Sequence, residues 1–406
     1  MKRYILLPLL ALAAGASAQK SESKASFELG KGLDISLNNG DYRFNLGGFI
    51  EANGAFYNVK DGEAEYRFGV KHAMLGFTGA AFDEKVSFKV QLDFTDSYPL
   101  LDAWVAYHPV KNMSITVGQR PSLTNNREML MMEQGIALSD RSILSREFTS
   151  TGREFGLFVE QRFGIGGVGF NVGASVTSGD GRNSFGSSSL DVDNGGFKYG
   201  GRVDVYPFGF FTAGNELVGA DFIREESPKL VVGGAFSYNN GVSNRVGDGH
   251  GDFILYDKDG KNLFPDYRKI AADLLFKYKG ISFLAEYLNT SATKLNGIYT
   301  KATPDSKLLP AEIASYLALG NGYNFQLGYC LKNGIAFDVR YSKVLPEFGE
   351  TAKSALYQTE AYGAGVSKYF VDNRLKLQGL VSYFKSPNKL AASESLLAEI
   401  SVHVVF

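Results

Sequence analysis

Five arginines cluster along one long stretch of the chain: Arg120, Arg127, Arg141, Arg146 and Arg153, with Glu128, Glu133 and Glu154 among them. Guanidinium groups hold carboxylates and phosphates through paired donors. Rings of Arg or Lys attract anions, and rings of Asp or Glu attract cations. Charges of both signs on one segment suit the steering of ions and polar solutes. Bond-making chemistry has less support. The histidines His72, His108, His250 and His403 have no acid and serine at a familiar spacing, and no G-x-S-x-G occurs. The run DKDGKN at 257–262 begins like a calcium loop but lacks the later ligands and the closing Glu. A loop turn is expected there, with no metal site and no cofactor.

The arginines sit between two alternating segments. Met113, Ile115 and Val117 oppose Ser114, Thr116 and Gly118; later, Phe155, Leu157 and Val159 oppose Glu154, Gly156, Glu160 and Arg162. Period-two alternation marks strands with two unlike faces. Pro121 to Ser150 lies between them without a strand pattern. A structureless stretch of about thirty residues is uncommon in a compact domain and usually functional. It is expected to fold into the mouth of a β-barrel and narrow a pore. The same parity assigns Arg43, Lys85, Lys89, Asp93, Arg202, Lys277, Arg340 and Lys376 to the lumen wall.

The alternation runs through most of the chain. Val86, Phe88, Val90, Leu92 and Phe94 are apolar, while Lys85, Ser87, Lys89, Gln91, Asp93 and Thr95 between them are polar. Short connections mostly alternate with long ones, the layout of an outer-membrane barrel with an even strand number, roughly sixteen here. The connection 208–228 breaks this rhythm. It leaves room for a further hairpin and an eighteen-stranded alternative. The fold class expected is all-β: a transmembrane antiparallel β-barrel whose third long extracellular loop folds into the lumen.

Residues 1–18 read as a signal peptide: Lys2 and Arg3, an apolar core, then Ala16-Ser17-Ala18. Residues 19–40 are a polar, Gly-rich lead-in, and the barrel is expected over 41–406. After the leader no apolar run reaches the length of a membrane-spanning helix. Gly (47), Phe (31) and Tyr (22) are abundant, which suits many strands joined by turns. A net charge of −1 argues against nucleic-acid binding. The single cysteine, Cys330, excludes an internal disulfide framework and falls on the polar parity of a strand. The alternating end at Ile400, Val402, Val404 and Phe406 is similar to the assembly signal of Gram-negative outer-membrane barrels. Phe406 is thus the expected handle for the barrel assembly machinery.

The stretch 67–162 resembles the phosphate-selective porin O and P family. The matching pieces are RFGVKHAMLGFTG (67–79), VSFKVQLDFTD (86–96), LLDAWVAYHP (100–109), ITVGQRPSLTNNRE (115–128) and GREFGLFVEQ (152–161). KYGGRVDVYPFG (198–209) and LVVGGAFSYNNG (230–241) extend the match. The resemblance implies a trimeric sixteen-stranded barrel with an inward third loop whose basic side chains guide anions. Arg120 stands at the basic position after VGQ, and Arg153 matches the Arg of the GR element. The loop departs from an anion-selective pattern, because Glu128, Glu133, Asp140 and Glu147 outnumber Arg127, Arg141 and Arg146.

The expected function is passive diffusion of small hydrophilic solutes across the bacterial outer membrane, with an anion or phosphate preference as the sharper version. The expected partners are outer-membrane lipid, small solutes or anions, and two further copies of the chain. A surface adhesin or structural barrel with a closed lumen is the alternative.

Overall fold

The computed structural model describes residues 23–149, 152–182, 195–248, 252–303, 306–349, 354–387 and 393–406. The expected leader at 1–18 lies outside the described residues.

Eighteen strands form one antiparallel sheet. The first two, β1 (Lys24–Glu28) and β2 (Gly32–Leu37), are a hairpin; then come β3 (Tyr42–Val59), β4 (Glu65–Ala81), β5 (Val86–Asp93), β6 (Leu100–Tyr107), β7 (Met113–Pro121), β8 (Arg153–Ile165) and β9 (Val168–Thr177). The second half comprises β10 (Lys198–Tyr206), β11 (Lys229–Asn239), β12 (Asp266–Tyr278), β13 (Ile281–Thr293), β14 (Gly320–Cys330), β15 (Ile335–Pro346), β16 (Thr359–Val371), β17 (Leu375–Lys385) and β18 (Glu394–Val405). Strand β18 pairs with β3, from Ser395 opposite Val59 to Val405 opposite Phe49. This pairing closes sixteen strands, β3 to β18, into a barrel with no unpaired edge, as lipid requires. Beyond it, β2 pairs with the start of β3, Leu33 opposite Leu46, and carries β1 on its other side.

Within the expected lead-in, residues 24–37 form a hairpin that extends the wall at the short-turn end of the barrel. The connection 207–228 holds only a short 3-10 turn at Asn215–Leu217, so it adds no strands to the wall.

Burial is inverted relative to a water-soluble sheet. On β14 the apolar Phe325, Leu327 and Tyr329 are 42–50% exposed, while Asn324 and Gln326 are at most 7% exposed. Val105 and Val117 are each 55% exposed, and Thr116 on the other parity is 2% exposed. Alternation alone cannot tell a sandwich from a porin; the sign of burial does. Polar residues inward and apolar residues outward is the pattern of a barrel that faces lipid.

Turns at 82–85, 108–112, 166–167, 279–280, 331–334 and 372–374 join strands at the end where β3 begins and β18 finishes. Gly166 and Gly167 both take left-handed φ (59° and 86°), which a two-residue hairpin of matching twist requires. The stretch 122–149 contains α1 (Arg127–Leu130) and α2 (Ile143–Phe148). Ile143, Leu144 and Phe148 pack against Leu288, Val344, Leu356 and Ala361.

Candidate functional site

The wall becomes irregular at two places, and both aim charges. On β4 the register slips so that Glu51 faces His72 but Ala52 faces Val70. Lys71 is the extra residue of this bulge, and it shares the inward side with His72. Bulges re-aim side chains in this way. On β5 and β6 a second slip sets Gln91 opposite Asp102 and Leu92 opposite Leu100. Leu101 and Asp102 are both buried there.

Lys71 Nζ lies 3.0 Å from Glu399 Oε1 and also donates to the carbonyl of Ser139. His72 Nδ1 is 2.7 Å from Asp93 Oδ2, and its Nε2 is 4.0 Å from Glu133 Oε2. Asp102 accepts from Arg153 Nε at 2.9 Å and pairs with Lys89 at 2.7 Å.

The stretch 122–149 is stitched to the inner side of the opposite wall. Arg127 donates to Asp273 (2.8 Å) and Asp204 (2.5 Å). Arg202 holds the same two carboxylates at 3.0 and 2.6 Å. The four side chains are almost fully buried. Burial works against the Arg127 charge, but Asp273 and Asp204 outweigh it and raise its pKa. The cluster lies over Gly233, where a Cβ would come within 2.4 Å of Arg202 Nη2 and Asp204 Oδ1. Glu128 accepts from Ser142 Oγ (2.7 Å) and Ser145 Oγ (2.5 Å). The Glu128 amide donates to Glu286 at 2.7 Å. Arg340 grips Asp140 through its carbonyl (2.7 Å) and its carboxylate (2.5 Å). Lys376 donates to the carbonyl of Ile136 at 3.1 Å.

Most cations expected to face a solute are therefore matched. Arg127, Arg202, Arg340 and Lys376 fasten this stretch to the wall. Lys277 is fully buried beneath 207–228, its ammonium bonded to the carbonyls of Asn215 (2.7 Å), Val218 (2.8 Å) and Ala220 (3.0 Å). Glu154 is buried against Lys198, and Arg120 pairs with Glu160 beside the Phe158 ring. Arg43 pairs with Glu84 at 2.6 Å at the exposed short-turn rim. Lys85 lies in the turn before β5, not on the strand wall where its parity placed it. Phe406 exchanges backbone hydrogen bonds with Gly48 at 2.6 and 2.9 Å.

A cavity of about 530 Å³ lies between residues 129–149 and the wall of β4–β6, β8 and β18. Its cations are Lys71, Arg141, Arg146, Arg153 and Arg182, with His72; its acids are Asp93, Asp96, Glu133, Asp140 and Glu399. Arg141 braces the stretch internally, donating to Glu133 (2.5 Å) and to the carbonyls of Glu128 (2.6 Å) and Met131 (2.9 Å). Burial pushes the Glu133 pKa up, but the Arg141 guanidinium outweighs this and holds it below the usual carboxylate range. Arg182 pairs with Asp96 at 3.0 Å. Among the described residues no carboxylate pairs with Arg146, which stacks its guanidinium 5.0 Å over the Phe384 ring and is exposed. Arg141, Arg146, Arg153 and Glu133, expected at the constriction, and Asp93, expected on the lumen wall, all line this cavity. Lys71, Asp140, Arg182 and Glu399 were not singled out as site residues. For Lys71 the only available signal, strand parity, is reset by the bulge.

A family model described as phosphate-selective porin O and P matches residues 40–241. No curated protein sequence matches the chain. Among solved structures, the trimer form of OmpT, an outer membrane protein of Vibrio cholerae, superposes with a TM-score of 0.51 at 10% identity, covering 90% of this chain and 99% of that one. Its loop L8 deletion mutant gives 0.53 at 10% identity, with 90% and 100% covered. OprB of Pseudomonas putida gives 0.51 at 11% identity, with 90% and 94% covered. At these identities the likeness is one of fold.

Proposed function

The chain belongs, through residues 40–241, to the phosphate-selective porin O and P family, and from that premise we propose that it is an outer-membrane channel for passive diffusion of small hydrophilic solutes. The observation that carries this reading is the charged cavity left between 129–149 and the wall of a closed, inside-out barrel. Residues 122–149 act as the constriction. Solutes cross down their own gradient, with no cofactor and no bond-making step. The protein sits in the bacterial outer membrane as a homotrimer, and Phe406 presents the chain end to the assembly machinery.

The lining carries five Lys or Arg against five Asp or Glu, and most of them are paired. Rings of one sign give strong selectivity; a matched lining gives weak selectivity. A general diffusion channel is therefore favoured over a dedicated phosphate path, which needs unopposed, desolvated cations. A modest anion preference is the second reading, supported by Arg146.

The test is current through the purified protein in a planar bilayer under a salt gradient, followed by added phosphate. Single-channel steps with a reversal potential near zero, and no block by phosphate, are expected. Steps with strong anion selectivity and phosphate block would restore the dedicated path. A folded barrel without steps would favour the closed structural or adhesive barrel.

A further inference from the structure

The connection 207–228 joins β10 to β11 at the short-turn end, where the other links are brief. It does not hang outside. Arg162 pairs with Glu216 at 2.7 Å, and Lys277 on β12 is wrapped by carbonyls of the segment. Asp221 accepts from the Gly280 amide at 2.7 Å, and Arg224 donates to the carbonyl of Cys330. Phe222 stacks on Tyr369 of β16, ring centroids 5.5 Å apart. These partners span the inner wall from β8 to β16.

The segment also meets the loop that descends from the other end. The Gly219 amide donates to the carbonyl of Gly135 at 2.7 Å. A Cβ on Gly219 would stand 2.7 Å from Ala137 Cβ, and one on Gly135 would stand 2.8 Å from the carbonyl oxygen of Leu217. The two backbones touch where only glycine leaves room. Ala137, Ala220, Cys330, Ala336 and Tyr369 form one buried cluster across this seam.

We propose that 207–228 is a second closure: it docks on the loop 122–149 from below and seals the lumen over β12–β16, so that solutes are confined to the passage beside β4–β6. The reading rests on the channel function proposed above. Each closure holds the other. The loop is stitched to β15 and β17 through Asp140 and Ile136, and the segment supports it at Gly135 and Ala137.

The only cysteine of the chain reports on this seam. Cys330 is 1% exposed and lies in the sealed cluster. The experiment treats the full-length refolded protein with a small methanethiosulfonate reagent and measures single-channel conductance on the same preparations. Two variants are compared with the parent: Gly219→Val, which wedges the seam, and Lys277→Met, which removes the ammonium from its carbonyl cage. Cys330 should resist labelling in the parent and react roughly tenfold faster in either variant, as for a locally opened unit. Conductance should rise by about half or more as a second path opens. Equal labelling of parent and variants would overturn the docking. Faster labelling with unchanged conductance would overturn the sealing role. A parent that protects Cys330 but never conducts would leave the closure standing and remove the channel reading instead. If Gly219→Val fails to fold, Lys277→Met decides alone.

Discussion

Arg127 Nε donates to Asp273 Oδ1 at 2.8 Å, which makes an arginine of the loop part of a buried wall cluster with Asp204 and Arg202. The loop is thereby held by charge inside the barrel. Removing one member of such a cluster leaves buried carboxylates short of a cation. Arg127→Ala should lower stability by about 3–5 kcal/mol. Urea unfolding followed by tryptophan or circular dichroism signals measures this. A loss below a tenth of that range would show that the cluster does not anchor the loop.

Arg146 should set whatever charge preference the passage has, because its guanidinium stacks on Phe384 and lacks a carboxylate partner among the described residues. Arg146→Glu should reduce the anion-to-cation permeability ratio roughly twofold. Arg120→Ala should change it far less, since Arg120 is already paired with Glu160. Reversal potentials under a salt gradient compare the two, and equal effects would remove Arg146 from its special place.

Lys71 joins the wall to the loop by donating to the Ser139 carbonyl while lying 3.0 Å from Glu399. Lys71→Met keeps the bulk and removes the donor. The expected result is noisier open-channel current from a freed loop edge, with a stability loss of about 1–3 kcal/mol. Current noise at the parent's level would mean that the loop is held adequately from the far wall alone.

Acid should loosen the internal brace of the loop. Glu133 is held below its ordinary pKa value, so its ion pair with Arg141 stabilises the folded state above the unfolded carboxylate value and is lost as pH falls through the lowered one. Channel noise should therefore rise on acidification below the ordinary Glu value. Glu133→Gln should be noisy already at neutral pH and respond less to acid. Identical acid responses in parent and variant would assign the effect to another group.

Phe406 lies with its ring against Gly48, where a Cβ would stand 2.5 Å from the ring. Gly48→Val should therefore lower the yield of closed, heat-modifiable barrel on refolding. A normal yield would show that the chain end can seat elsewhere.

The barrel wall was legible because period-two alternation is a local property. The facing of Val86 through Phe94 can be read from one strand without knowledge of its neighbours. The charge partners were not legible in the same way. Arg127 meets Asp204 and Asp273 only because the loop crosses the lumen, and no local pattern encodes that crossing. Cations expected to meet solute turned out to fasten chain to chain, as at Arg202, Lys277 and Arg340. The misfit of 208–228 was visible as a length, but length cannot distinguish a hidden hairpin from a segment folded inward. Lys71 is not legible from parity, which holds only while the register is unbroken.

That break in register makes the bulge a place on β4 where a residue can be lost without inverting the strand. Past the bulge, Tyr66, Phe68 and Val70 face outward, 73%, 89% and 53% exposed, while Glu65, Arg67 and Gly69 sit opposite Tyr57, Ala55 and Asn53 on the other side. Deleting Lys71 would remove the extra residue and set Val70 beside His72 in plain alternation, so Tyr66 and Phe68 would still face outward. Deleting Gly69 instead would turn the start of the strand over, carrying Phe68 into the water column and Arg67 toward hydrocarbon. A gene lineage can thus lose a residue at the bulge and keep the facing of the wall, whereas two positions earlier the same loss inverts it.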